Sequence, residues 1–153
     1  MTFPILSSLI LLPLIGGLFI LLSRSSDKSN YQSSKYVALF VSFANFFVSI
    51  YLWYIFDPGT SDFQFVENRL WLEGFINYKV GIDGISILFI VLTTLITPLC
   101  IISVNQSINT KLKEFLIAIL VMESLMIGVF CSLDLVIFYL FFEGGLIPMF
   151  LII

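Results

Sequence analysis

The chain has 153 residues, of which 59% are hydrophobic and 17 are Phe; its mean hydropathy is +1.10 and only 11% of its residues are charged. A water-soluble domain of this length cannot hide so much apolar surface in one core, so the chain reads as an all-α membrane protein. The net charge of −3 comes with no basic, aromatic-interleaved stretch, which excludes a nucleic-acid partner.

The first apolar run, residues 3–22, has no preceding Lys or Arg, so it lacks the charged start of a cleavable signal peptide and reads as a retained helix. A Ser-rich stretch, 23–34, follows and is expected to be a flexible loop. The second run, 36–56, contains Asn45, read as a hydrogen-bonder between helices, and ends at the turn signal Asp57-Pro58-Gly59. An outer-side loop is expected over 57–84. The third run, 85–104, opens with Gly81, Asp83 and Gly84, where Asp83 is suited to cap the helix. It carries Pro98 behind Thr93, Thr94 and Thr97, whose hydroxyls are available to the backbone that the proline opens.

Residues 115–153 are almost continuously apolar and as one helix would measure about 60 Å, twice the thickness of a bilayer. The segment must fold back, and Cys131-Ser132-Leu133-Asp134 is the polar interruption placed to turn it, with Asp134 as an N-cap. This makes five spans in a single membrane domain, at 3–22, 36–56, 85–104, 115–133 and 135–153, each of roughly 20 residues. Arg24, Lys28 and Lys35 after the first span, and Lys111 and Lys113 before the fourth, place those connections on the cytoplasmic or matrix side. Asp57, Asp62, Glu67, Glu73 and Asp83, set against Arg69 and Lys79, mark the other side. The N-terminus then lies outside and residue 153 inside.

Two acids, Glu123 and Glu143, interrupt the last two runs. A carboxylate at membrane depth costs roughly 2.5–3.5 kcal/mol on insertion scales and marks a functional site by default. Counted from the turn, both lie about 13–15 Å deep, which predicts a shared polar layer. Pro148 removes the hydrogen bond to the Gly144 carbonyl, beside Glu143, and Gly144 and Gly145 leave the backbone unshielded. Glu143, Gly144, Gly145 and Pro148 therefore read as a hydrated helix break, with Pro98 a second break in span three. The chain has no His, and Cys100 and Cys131 lack CxxC spacing, so metal, haem and disulfide readings have no ligands. Both cysteines read as small buried hydrophobes.

The stretches VGIDGISILFIVLTTLITPLCI (80–101) and FYLFFEGGLIPMFLII (138–153) closely resemble the subunit 4 family of proton-translocating NADH:quinone oxidoreductase, respiratory complex I. The resemblance runs along the whole chain in order, including the Leu70-Trp71-Leu72 and Met122-Glu123-Ser124 segments, and FFE followed by LIPM is its most specific part. It implies the N-terminal part of an antiporter-like helical bundle, with Glu143 as the main proton carrier, Glu123 as an accessory carrier, and a lysine on a later helix as the partner of Glu143. The remainder of that fold is absent from these residues, so the chain is either a fragment or one piece of a split subunit. The resemblance implies no cofactor bound by this chain, with NADH, FMN, iron–sulfur clusters and ubiquinone handled elsewhere in the complex. It implies as partners the other membrane-arm subunits, including the remainder of subunit 4 if split, and the lipid bilayer. The location implied is the mitochondrial inner membrane, or a bacterial plasma membrane. Two alternatives stay open on the residues alone: a subunit of a multisubunit cation/proton antiporter, and a structural scaffold whose acids only fix helix packing.

Overall fold

The computed structural model describes residues 4–23, 28–72, 76–104 and 111–153. Five helices carry the fold: α1 (Ile5–Leu22), α2 (Lys28–Ile55), α3 (Gly84–Ser103), α4 (Leu112–Cys131) and α5 (Leu135–Ile152). Each contains a stretch long and apolar enough to cross a membrane. With five such helices, the chain is a multi-pass membrane protein. Arg24 and Glu73, used above for orientation, lie outside the described residues.

The first correction concerns residues 23–34, expected as a flexible loop. From Lys28 onward they are helix, and α2 has 28 residues, or about 42 Å, although its apolar stretch begins only at Gln32. The extra turns carry polar residues, and a helix that satisfies its own backbone can continue past the hydrocarbon boundary without cost.

The second concerns the segment between α2 and α3. Instead of a plain loop it forms an antiparallel hairpin of β1 (Gln64–Leu72) and β2 (Ile76–Ile82), in which Glu67 pairs with Val80, Asn68 with Lys79, Arg69 with Tyr78 and Leu70 with Asn77. The register is irregular between Gln64 and Glu67, where Phe65 has φ 53°. A left-handed phenylalanine costs roughly 1–2 kcal/mol, which is offset here because its ring packs on the core beneath the hairpin. Gly81, read above as part of the opening of the third run, lies in β2. Asp83 then caps α3 by accepting from the Ser86 amide at 2.7 Å. The Ser86 hydroxyl and amide together hold the Asp83 carboxyl below the usual carboxylate range.

The hairpin seats on the other elements at its end of the bundle. Leu133 N–H donates to the Lys79 carbonyl at 3.0 Å, and Val80 bridges Ser132 in the turn between α4 and α5. That turn leads into α5 through Asp134, which accepts from the amides of Val136 (2.8 Å) and Ile137 (3.4 Å). At the opposite end, Lys35 donates to the Val104 carbonyl at 2.8 Å, and Lys113 to those of Leu21 (3.1 Å) and Ser23 (2.6 Å). Each lysine thus places its charge on the open carbonyls of a helix C-terminus, where the helix dipole favours a cation.

Two apolar cores stack along the bundle. One, under the hairpin, includes Leu6, Leu9, Leu52, Ile90 and Ile127, and the other, toward the lysine-capped end, includes Ile20, Ala38, Ile101, Leu116 and Leu120. Helix α4 is central, with half of its length buried, whereas only 11% of α5 is buried and its inward residues are Ile137 and Pro148. α5 lies along α4 at Gly128, where an added Cβ would stand 2.6 Å from the Phe141 ring.

Candidate functional site

A polar layer separates the two cores. Ser42, Asn45 and Ser49 recur at three- and four-residue spacing on one face of α2 and are fully buried, as are Thr94 of α3 and Ser124 of α4. Glu123 joins them at 2% exposure, with Asn45 Nδ2 donating to its Oε1 at 2.8 Å. Ser49 and Thr94 share a hydrogen bond of 2.7 Å, and the Ser124 hydroxyl donates to the Ile10 carbonyl at 2.5 Å. Four helices therefore contribute polar atoms to one level of the bundle, with apolar packing above and below.

Glu143 is not part of that layer, which corrects the expectation that the two acids share it. It is exposed on the outer face of α5, where it lines an open groove of about 600 Å³ with Leu140, Gly144, Leu146, Ile147 and Phe150. Its polar neighbour is Tyr139, one turn earlier. The separation follows from helical angle. α4 meets α5 near Leu125, which would stand 3.4 Å from a Cβ added to Gly144, and at Gly128, where an added Cβ would meet Phe141. At about 100° per residue both positions point well away from Glu123, which faces α2 instead.

The two proline sites also differ from the expected breaks. α5 is helical from Leu135 to Ile152 and α3 from Gly84 to Ser103, each with its proline inside and buried. The structure contains no interruption at Pro148 or Pro98, because a proline inside a long helix removes one hydrogen bond while the turns on either side keep theirs. The hydroxyls of Thr93, Thr94 and Thr97 donate to the carbonyls of Phe89, of Ile90 and Val91, and of Thr93, rather than to the Thr94 carbonyl that Pro98 leaves free. A Cβ added to Gly144 would stand 3.4 Å from Leu125, whereas one on Gly145 would meet nothing within 4 Å.

No protein-family model matches the chain. Curated relatives do. The chain is 51% identical over 150 residues to NADH-quinone oxidoreductase subunit M of Rhodobacter capsulatus, covering 97% of this chain and 29% of that protein. It is 47% identical over 149 residues to NADH-ubiquinone oxidoreductase chain 4 of Marchantia polymorpha, covering 97% of this chain and 30% of the relative. Over 97% of its length the chain is similar to the N-terminal part of these proteins. It is also 45% identical over 149 residues to chain 4 of Arabidopsis thaliana, again over 97% of this chain and 30% of the relative. The chain spans about 30% of the length of these relatives.

Glu67, Tyr78 and Cys100 have surroundings that the amino-acid sequence does not indicate. Glu67, read from the sequence only as an outer-side charge, accepts from the Leu6 amide at 2.9 Å, the Ser7 amide at 3.3 Å and the Ser7 hydroxyl, so a hairpin carboxylate closes the N-terminus of α1. Tyr78 adds a hydroxyl contact to Ser7 at 3.1 Å, and burial raises its phenol above the usual tyrosine range. Cys100 is exposed on α3 rather than buried as expected, because it faces away from the bundle, whereas Cys131 is buried at the end of α4. Among the described residues no group of three His, Cys, Asp or Glu side chains is placed to hold a metal ion.

Proposed function

We propose that this chain contributes to proton translocation in the membrane arm of a proton-translocating NADH:quinone oxidoreductase. The observation that carries the reading is identity of 43–51% over at least 97% of the chain with proteins of that name. In this reading Glu143 is the principal proton carrier and Glu123 an accessory one. Two features support these roles. Glu123 is a buried acid in a layer of hydroxyl, amide and carbonyl groups drawn from four helices, a setting in which a proton can be held away from water. Glu143 faces outward from the described helices, and an acid at that depth is tolerated only against protein or a hydrated cavity, so its groove marks where further parts of the assembly approach. Gly145 leaves that approach unobstructed.

The partners are then the other membrane-arm subunits, including the part of subunit 4 that these residues do not span, within a lipid bilayer. We assign NADH, FMN, the iron–sulfur clusters and ubiquinone to the parent complex rather than to this chain. The bilayer is the mitochondrial inner membrane, or the plasma membrane of a bacterium. The hairpin end of the bundle faces the outer side and the lysine-capped end the matrix or cytoplasm, in keeping with Lys35 and Lys113 at the latter.

The test is NADH-driven acidification of vesicles, normalised to assembled complex. Glu143→Gln keeps shape and hydrogen-bonding capacity while removing titration; it is expected to abolish most translocation while the complex still assembles. Glu143→Asp is expected to retain part of the activity and Glu123→Gln to lose less than Glu143→Gln. Near-normal pumping by Glu143→Gln sinks the carrier role and leaves a packing scaffold.

A further inference from the structure

The amide–acid pair in the polar layer is incomplete as drawn by its heavy atoms. Asn45 Oδ1 and Glu123 Oε2 are both buried and meet no donor among the described residues, although Asn45 Nδ2 already donates to Glu123 Oε1 at 2.8 Å. Buried polar atoms in native proteins are almost always partnered, so two orphans on one hydrogen-bonded pair call for a common explanation. If the carboxyl is ionised, both orphans are acceptors and neither can help the other. A proton on Oε2 converts one of them into a donor, and the acceptor left over in the pair is Asn45 Oδ1. A carboxylic acid and a primary amide match in this way, each offering one donor and one acceptor.

Charge points the same way. The elements packed on α4 are α1, α2, α3, α5 and β2. Ile5–Leu22 and Gly84–Ser103 contain no charged residue, and Cys100 of α3 is exposed. On α2, Lys35 is engaged at the Val104 carbonyl, and Lys79 of β2 lies at the outer turn where its carbonyl meets Leu133. On α5, Glu143 faces outward and Tyr139 is exposed beside it. Within α4 itself, Lys113 is held at the Leu21 and Ser23 carbonyls and Glu114 is exposed in the first turn. Cys131 lies in the apolar core under the hairpin. No cation among these is placed to balance a carboxylate at Glu123, and an unbalanced buried charge is the costlier state.

We propose that Asn45 is a positioning residue that holds Glu123 as a neutral carboxylic acid, with the acid proton on Oε2 directed to Asn45 Oδ1. The pairing rests on the Asn45 Nδ2–Glu123 Oε1 hydrogen bond and on the two unpartnered oxygens of the same two side chains; its consequence rests on the carrier reading above, for Glu123 can then release its proton only when its contact with α2 is broken, so α2–α4 spacing gates the acid.

Infrared difference spectra of the assembled membrane complex test the pairing. At neutral pH, wild type minus Glu123→Gln is expected to show one carboxylic C=O band that moves in D2O. Asn45→Leu is expected to keep that band but shift it to higher frequency, as for an acid without hydrogen bonds. Absence of the band in the first comparison, or an unmoved band in the second, overturns the proposal. Should Asn45→Leu not assemble, Asn45→Ala replaces it with the same two outcomes. Pumping by Glu123→Gln reads the carrier role separately: normal pumping with the band present removes that role and keeps the pair, whereas lost pumping without the band keeps the role and removes the pair.

Discussion

The Glu67 carboxylate sits on the amides of Leu6 and Ser7, so a strand residue sixty positions away supplies the N-terminal cap that α1 lacks in its own sequence, where Pro4 makes no side-chain cap hydrogen bond. The anion is well placed, since the first amides of a helix are unpaired and its dipole is positive there. Glu67→Ala should therefore loosen both the hairpin and the start of α1, with a loss of about 1–2 kcal/mol by analogy with other cap removals. Hydrogen exchange at the Leu6 and Ser7 amides should rise selectively. Unchanged exchange at those two amides would show that the cap does not hold the helix.

Gly128 and Gly145 should respond oppositely to the same substitution. A Cβ at Gly128 would stand 2.6–2.7 Å from Phe141 ring atoms, whereas one at Gly145 meets nothing within 4 Å. Gly128→Ala should weaken the α4–α5 packing by about 1–3 kcal/mol, the usual range for overpacking. Thermal unfolding in detergent should show the loss, and Phe141→Leu in the same chain should recover part of it. Gly145→Ala should match wild type in this measurement while lowering recovery of the assembled complex, which tests the proposal that further helices dock on the open side of α5.

Asp83 ties stability to acid pH. Its carboxyl is held below its ordinary value of 3.8 by the Ser86 hydroxyl and amide, so the folded state prefers the ionised form. A carboxyl lowered in this way contributes its full stabilisation above the unfolded value, and loses it as pH falls below that value and through the folded one. Asp83→Ala should cost about 1 kcal/mol near neutral pH, as for other caps. The gap between variant and wild type in denaturation should close below about pH 4. A gap that stays constant to lower pH would assign the effect to packing instead of charge.

Orientation follows from the lysine-capped end. In a chain whose own Cys100 and Cys131 are replaced, Ser23→Cys and Lys111→Cys should react with an impermeant thiol reagent from the matrix or cytoplasmic side, and Asp62→Cys from the other. All three positions are exposed. Reaction of Ser23→Cys and Asp62→Cys from the same face would overturn the arrangement.

The amino-acid sequence by itself was enough to determine the membrane class, the helical hairpin and the caps at Asp83 and Asp134. Each depends on local matters: apolar length against bilayer thickness, and a short acid ahead of a helix. Glu123 and Glu143 stood out for the same reason, as charges in runs that exclude them. Tertiary structure alone decided where those acids point. Their equal depth is a one-dimensional quantity, whereas facing is set by helical angle, and Leu125 and Gly128 turn α4 so that Glu123 meets Asn45 while Glu143 is left on the outer face of α5. The hairpin was hidden for a related reason. Residues 64–82 are mixed in polarity, with neither strict alternation nor a compact two-residue turn, and the strands are held by contacts with α1 and with the turn after α4 that have no local signature. Glu67 shows the limit most plainly, because a cap that comes from sixty residues away leaves no mark on the sequence beside the helix it closes.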